Sequence, residues 1–446
     1  MKKGNKIVGS IVLASLLALG TTGCSSDDDN NNNPVTQTQA EITAAQKRVV
    51  LTTYADIALA NYTDAYNDAI ALKEAIETFT NNPTEDTLAA AKTAWLKSRE
   101  SYGTTEIFRL SNGPIDAEEG FAASWGAPEG QLNAWPLDEN MIDYTVAADG
   151  SITSGNIIDT VGIFTPDGGD EVNVTTITKD VISALNENGG DANVATGYHA
   201  IEFLLWGQDQ DYNSFIDDTI TNGPTKAGER PLSDYTTDSH ADRRKDYLKA
   251  AAELMVDDLG KMVDAWSNQP GSYREAFLGS GSHAIATDTA LKDVFAGMGV
   301  FVKSELANER MAVAILTPSE EDEHSCFSDN THRDITTNYQ GFVNVLKGEY
   351  KGSSKGTGFY SLLSADTKAD VDALITGIDS KIATMNNAVA SYHFDYQIRP
   401  GNENRENLSN IKNSLRDLGD KMVDVASEYG VSLTTDDVTD PEETNI

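Results

Sequence analysis

Cysteine is nearly absent: 446 residues hold two, Cys24 and Cys326, so no disulfide framework staples the fold. Histidine is almost as scarce, six in all, and each can be weighed singly. Basic residues are few beside acidic ones, 33 Lys and Arg against 70 Asp and Glu, for a net charge of −37. A surface that acidic repels phosphate backbones, which excludes nucleic acid as a partner. Long apolar runs are missing as well; residues 7–19 form an apolar stretch too short for a comfortable membrane span. No stretch alternates apolar and polar residues between hairpin turns, so sheets are not expected. What remains is ample core material, 39% hydrophobic and 8% aromatic residues, which excludes a disordered chain.

The first 23 residues read as a secretory signal: Lys2, Lys3 and Lys6, then the apolar stretch, then small residues. Leu19-Gly20-Thr21-Thr22-Gly23-Cys24 resembles a bacterial lipobox, with Thr21 a poor match to the usual aliphatic residue. The resemblance implies cleavage before Cys24 and a lipid on its thiol, which would tether the protein to a membrane, in the outer membrane facing the periplasm or the cell surface. Residues 24–40, with three Asp and four Asn in succession, read as a disordered tether. Its Ser-Asp-Asp-Asp run resembles the surface-export signals of some bacterial lipoproteins.

From residue 41 the pattern is helical. Tyr54, Ala58, Tyr62, Ala65, Ala69, Leu72, Ile76 and Phe79 fall three or four apart and predict one helix over 41–80. Asn82 as cap, Pro83 at the first position and Glu85 three after the cap predict a second helix, running to about residue 109. Further helices are expected over 193–206, 241–266, 290–314, 331–346, 365–388 and 405–428. The expected fold is all-α, two consecutive helical bundles over 41–270 and 271–430, with an acidic tail at 431–446. Residues 110–190 lack periodicity and form a long loop whose Trp125 and Trp135 argue for packing.

Charges intrude on apolar registers. Trp95, Arg99, Tyr102, Glu106 and Arg109 share a stripe in continuation of Leu88 and Ala91. Glu305 and Glu309 stand i, i+4 in a core register. Buried charges need ion partners or metal, so either a metal site or an ion-paired pocket follows. His199 and Glu202, at i and i+3 in the apolar helix Gly197-Tyr198-His199-Ala200-Ile201-Glu202, present both side chains on one face. Two donors do not complete a metal site; Glu106, Glu305 and Glu309 are the first candidates for the rest. Segment 320–334 crowds His324, Cys326, His332 and six acids together. Glu321 and His324 have the spacing of one arm of a di-iron site, but a second arm in that order is missing. His240, His283 and His393 read as surface or packing residues.

Gly197-x-His199-x-x-Glu202 matches the Gly-x-His-x-x-Glu signature of the imelysin family, and the chain is similar to its iron-regulated protein A branch. Blocks at 113–116, 128–139, 305–311 and 321–334 extend the resemblance over nearly all of 41–430. It implies two related helical bundles with the motif, Gly197, His199 and Glu202, near their junction; the charged stripe and the 320–334 segment add Arg99, Tyr102, Arg109, Glu321, His324 and His332 as candidate pocket neighbours. Two functions follow as expectations. One is a cell-envelope lipoprotein that binds a metal ion, iron before zinc, or an iron-containing ligand, and works with envelope iron-uptake components. The other is a zinc metallopeptidase, which needs three ligands and a general base; the His-Glu-x-x-His helix that would supply them is absent.

Overall fold

The computed structural model describes residues 41–147, 150–209, 226–318 and 322–441. The signal and tether, Cys24 included, lie outside these residues, as does Glu321. Helix α1 (Ala44–Asn81) opens on a capping box between Thr43 and Gln46, and its predicted apolar stripe is buried at every position from Tyr54 to Phe79. Helix α2 (Glu85–Gly103) starts two residues later than expected: Thr84 caps it through Thr87, while Asn82 closes α1 instead. These two helices pack on each other, and α1 packs on α5 (Ala241–Trp266), with the short α3 (Lys179–Leu185) and the motif helix α4 (Gly197–Trp206) against α5.

The second half joins α6 (Thr287–Val300), α8 (Ala365–Ala388) and α9 (Arg405–Glu428), with α7 (Thr331–Lys347) crossing to touch α2. The all-α expectation holds: among the described residues the strands are two-residue pairs, Ile163–Phe164 with Val172–Asn173 and Glu349–Tyr350 with Ser353–Ser354. Residues from Glu41 onward form one compact unit. Tyr54 lies at the centre of an aromatic cluster that draws Phe108 (5.2 Å), Trp266 (5.8 Å) and Phe277 (5.4 Å) from separate segments.

Three departures from the expected elements shape the site. First, α2 ends at Gly103, and Glu106 falls in a short 3-10 turn, Glu106–Phe108. Gly103 sits where a Cβ would lie 2.0 Å from Thr337 Oγ1, so α7 crosses α2 at its end. Second, Phe301–Ala312 is wound as a π-helix, bonded i→i+5 rather than i→i+4. Third, the described part of the tail, residues 431–441, packs in places: Val431, Leu433 and Val438 are buried, and the missing side chain of Gly299 makes room for Val438. No described helix is long and apolar enough to cross a membrane.

Candidate functional site

The motif helix begins on a backbone only glycine takes easily. Gly197 has φ +81°, and a Cβ there would stand 2.4 Å from the Leu132 carbonyl oxygen. This close approach seats the 110–190 loop against α4. Trp95 Nε1 donates to the Tyr198 carbonyl (2.9 Å), and Ser98 and Tyr198 hydroxyls pair at 2.8 Å, fixing α4 to α2.

His199 and Glu202 face inward and are fully buried. His199 Nδ1 shares a hydrogen bond with Glu202 Oε2 at 3.0 Å. The other oxygen of Glu202 accepts from the Ser328 backbone N–H (3.0 Å) and hydroxyl (2.6 Å). Both carboxylate oxygens are therefore engaged within the protein, and Glu202 holds the His199 ring in place. His199 Nε2 is buried without a hydrogen-bond partner.

The second histidine of the site is His324, whose ring meets that of His199 edge-on with centroids 4.7 Å apart. Trp135, from the long loop, covers both, at 4.8 Å from His199 and 6.4 Å from His324. His324 is held the same way as His199: its Nδ1 pairs with Asp334 Oδ2 at 2.9 Å, and Ser325 Oγ donates to the same oxygen at 2.5 Å. Asp334 Oδ1 takes the Arg99 guanidinium through Nε (3.1 Å) and Nη2 (2.8 Å).

Arg99 opens a chain of ion pairs. Its Nη1 donates to Asn133 Oδ1 (2.5 Å), and Asn133 Nδ2 donates to Glu106 Oε2 (3.3 Å). Glu106 also receives Arg310 Nη2 at 2.6 Å, and that same nitrogen reaches Glu305 at 2.8 Å. Arg109 closes the network on Glu305 (2.9 Å), Glu106 (3.4 Å) and Glu129 (3.3 Å). Tyr102 is buried, with the Arg99 guanidinium over its ring at 5.6 Å. Arg99, Glu106, Arg109, Glu305 and Asp334 thus come together from both halves of the chain, as ion partners of one another.

Two expected members fall elsewhere. Glu309 is exposed, with its carboxylate taking the Asn308 amide at 3.0 Å. The π-winding is the reason: five residues per hydrogen-bonded ring bring Arg310 over Glu305, and the expected i, i+4 partner Glu309 is turned outward. His332 is half-buried and its Nδ1 faces the Asp329 carbonyl at 3.2 Å, outside the His199–His324 contact. Residues that pattern reading did not single out are Asp334, Arg310, Asn133, Glu129 and Ser328. Only Arg310 and Asp334 carried a sequence signal, a charge beside apolar positions; Asn133, Glu129 and Ser328 sit in aperiodic segments.

Protonation follows from burial against partners. Burial pushes Glu202 up to about 8, against the lowering influence of Ser328 and Arg99. Burial, then His324 and Arg99, hold His199 well below the usual imidazole range. Burial and then Arg310 bring His324 down to about 4, with Asp334 opposing. At neutral pH both imidazoles are uncharged. Burial would raise Glu305, but Arg109 and Arg310 outweigh it and hold it at about 2. Glu129 goes the other way: burial raises it to about 7 despite Arg109.

A ligating histidine characteristically offers one nitrogen to the metal while the other donates to a carboxylate. His199–Glu202 and His324–Asp334 are two such pairs, and the orphaned Nε2 of His199 is the atom a metal would take. The donor count is short, however. Among the described residues, the group of three acid or thiol or imidazole donors close enough to hold an ion lies elsewhere, at Asp209, Glu323 and Asp329. The two imidazoles fit a metal that arrives with some of its ligands, and fit a tetrahedral structural zinc poorly.

An all-α fold with a buried His-x-x-Glu pair at the meeting of its two halves defines a class of helical-bundle proteins. The Imelysin family model matches residues 58–422, and the chain belongs to the imelysin family. Iron-regulated protein A of Synechococcus elongatus is 26% identical over 319 residues, covering 70% of this chain and 67% of the relative. A crystal structure described as an iron-regulated protein A precursor from Parabacteroides distasonis shares the fold, with a TM-score of 0.63 at 19% identity over 88% of this chain and 97% of that one.

Proposed function

We propose that this protein is a cell-envelope lipoprotein, anchored through Cys24, that receives iron as a metal ion or small iron complex at the His199–His324 pair and serves iron acquisition. The observation that carries the reading is the buried, unpartnered Nε2 of His199 beside a second carboxylate-held histidine. The relatives' name ties that family branch to iron. Iron is cargo in this reading. His199 and His324 would contact it; Asp334 would hold the Nδ1–H of His324, and Glu202, protonated at neutral pH, would pass its proton to His199 Nδ1 as Nε2 releases its own. Arg99, Arg109 and Arg310 would balance the surrounding carboxylates and leave room for an anionic ligand carried in with the metal.

The zinc peptidase is the second reading. It needs a third protein ligand and a free general base. Glu106 and Glu305, the acids nearest that role, are bound up in arginine pairs, so the binding reading ranks first.

The test is metal analysis of protein purified without chelator, alongside His199→Ala, followed by calorimetric titration with ferrous iron and with zinc. Iron retained by the wild type and lost from His199→Ala supports the proposal. Equal iron in both proteins refutes it, and peptide cleavage abolished by His199→Ala would replace it with the peptidase.

A further inference from the structure

Behind the His199–His324 pair lies a second cluster of acids that the ion-pair network does not reach. Asp209 follows the C-terminal end of α4, Glu323 and Asp329 bracket the loop that carries His324 and Ser328, and all three are buried. One carboxylate oxygen from each lies within 4.8 Å of the other two. Neither oxygen of Glu323, which is fully buried, makes a hydrogen bond of normal geometry, and Asp329 Oδ1 is likewise without a partner. The other oxygen of Asp329 is taken by His393 Nδ1. A fourth acid, Asp395, is buried and acts on Glu323 as a neighbouring like charge.

Such an arrangement is hard to account for by packing. Carboxyl groups removed from water either repel one another as anions or must hold protons, and a single histidine can offset at most one of them. The oxygens of Glu323, near two other carboxylates, have at most the Thr331 hydroxyl beside them and lack the positive partner that every acid of the neighbouring arginine network has. We propose that Asp209, Glu323 and Asp329, with Asp395 beside them, form a site for a hard divalent cation, calcium in the first place. The donors are all oxygens, which suits calcium and magnesium and disfavours soft metals. Calcium takes six to eight oxygens in flexible geometry, so carboxylates binding through one or both oxygens, with carbonyls and water, can complete the shell. Asp209 also lines a cavity of about 700 Å³ together with Tyr144, Gly207 and Arg230.

The site has a consequence for its neighbour. Glu323 directly precedes His324, and Asp329 directly follows Ser328, the residue that holds Glu202. A cation at this point ties both ends of the loop to the end of the motif helix, and so fixes the two histidines relative to each other. The proposal stands apart from the iron reading, since it uses different donors.

The experiment measures thermal unfolding of the full chain in EDTA and in calcium chloride up to 10 mM, with calcium stoichiometry by equilibrium dialysis. Calcium at a hundred times its dissociation constant should raise the wild-type melting temperature by about 3 °C for a folded unit of this size, with one ion bound per chain. Glu323→Gln and Asp209→Asn should lose the rise and the bound ion. In EDTA both should melt close to wild type, because the amides keep the size and shape of the acids they replace; that same measurement shows they are folded. His199→Ala should keep the calcium response. An equal rise in wild type and Glu323→Gln would assign the effect to diffuse surface acidity and overturn the proposal. So would the absence of any rise at 10 mM, a response lost equally in His199→Ala, or a site that ferrous iron fills and calcium does not.

Discussion

Asp334 is the residue on which both histidine positioning and charge balance depend, and replacing it with asparagine tests the account of the site directly. The substitution keeps size and shape and removes one charge. In the wild type, Asp334 Oδ1 neutralises Arg99 through two hydrogen bonds, and both residues are about 1% exposed. The remaining partner of the guanidinium at Nη1 is the neutral amide of Asn133, so Asp334→Asn leaves a buried cation without its counter-ion. Breaking a buried pair from one side costs about 3–5 kcal/mol. Rings of Tyr102 and Tyr198, at 5.6 and 5.0 Å from the guanidinium carbon, can return on the order of 1 kcal/mol. A net loss of about 3 kcal/mol is expected, a large share of the roughly 5–15 kcal/mol that holds a typical domain. Urea unfolding followed by fluorescence and circular dichroism measures it, as a lower midpoint at unchanged slope. Adding Arg99→Met to Asp334→Asn should recover about 2 kcal/mol, because the uncompensated charge is gone. A single variant within about 1 kcal/mol of wild type, or a double variant as unstable as the sum of its parts, would refute the claim that this pair is dry and mutually dependent.

Gly197→Ala should destabilise the fold by at least about 1–3 kcal/mol through positive-φ strain alone, with the contact on Leu132 adding to it; a melting temperature unchanged from wild type would contradict the close approach. Glu305→Gln should cost several kcal/mol because Arg109 and Arg310 share its oxygen, whereas exposed Glu309→Gln should stay within about 0.5 kcal/mol; comparable losses would contradict the π-helical placement. Glu202 and Glu129 hold protons in the folded state up to about 8 and about 7, where the unfolded carboxyls have lost theirs. Stability should therefore fall as pH rises from 5 to 8, by up to about 1.4 kcal/mol per unit for each group, and Glu202→Gln should flatten that slope in urea titrations at successive pH values. The same proton gives metal binding a sign: iron on His199 Nε2 should release one proton per site below pH 8, and Glu202→Gln should weaken iron binding about 10- to 100-fold.

Much of the fold was legible because helix periodicity is a local property. The stripe from Tyr54 to Phe79, and the spans 241–266, 365–388 and 405–428, needed only the 3.6-residue repeat. Legibility failed where the backbone itself departs from that repeat. A π-wound segment changes which residues share a face, so Glu305 was read with Glu309 and belongs with Arg310. The turn after Gly103 has the same effect on Glu106: its buried place was foreseen, its route there along a continuous helix was not. The loop of 110–190 has no period at all, and it supplies Glu129, Asn133 and Trp135, residues whose positions are set by contacts with distant segments such as the close seat at Gly197.

The candidate site shows what a charge in an apolar register does and does not mean. Arg99, Glu106, Arg109 and Glu305 announced a buried polar centre, and the argument that such groups require partners held for each of them. It could not say whether the partner is a side chain or an ion, because both satisfy the same electrostatic demand. Geometry separates the cases by counting oxygens and nitrogens already engaged. Glu106 and Glu305 are engaged by arginines, and Glu202 by His199 and Ser328. Among the acids and imidazoles of the described residues, unengaged atoms remain on His199 in one place and on Glu323 and Asp329 in another, with Asp258 keeping one unpaired oxygen apart from both. The motif histidine, and a cluster that no motif marked, are therefore the two places among the described residues where the proposals above put a bound ion.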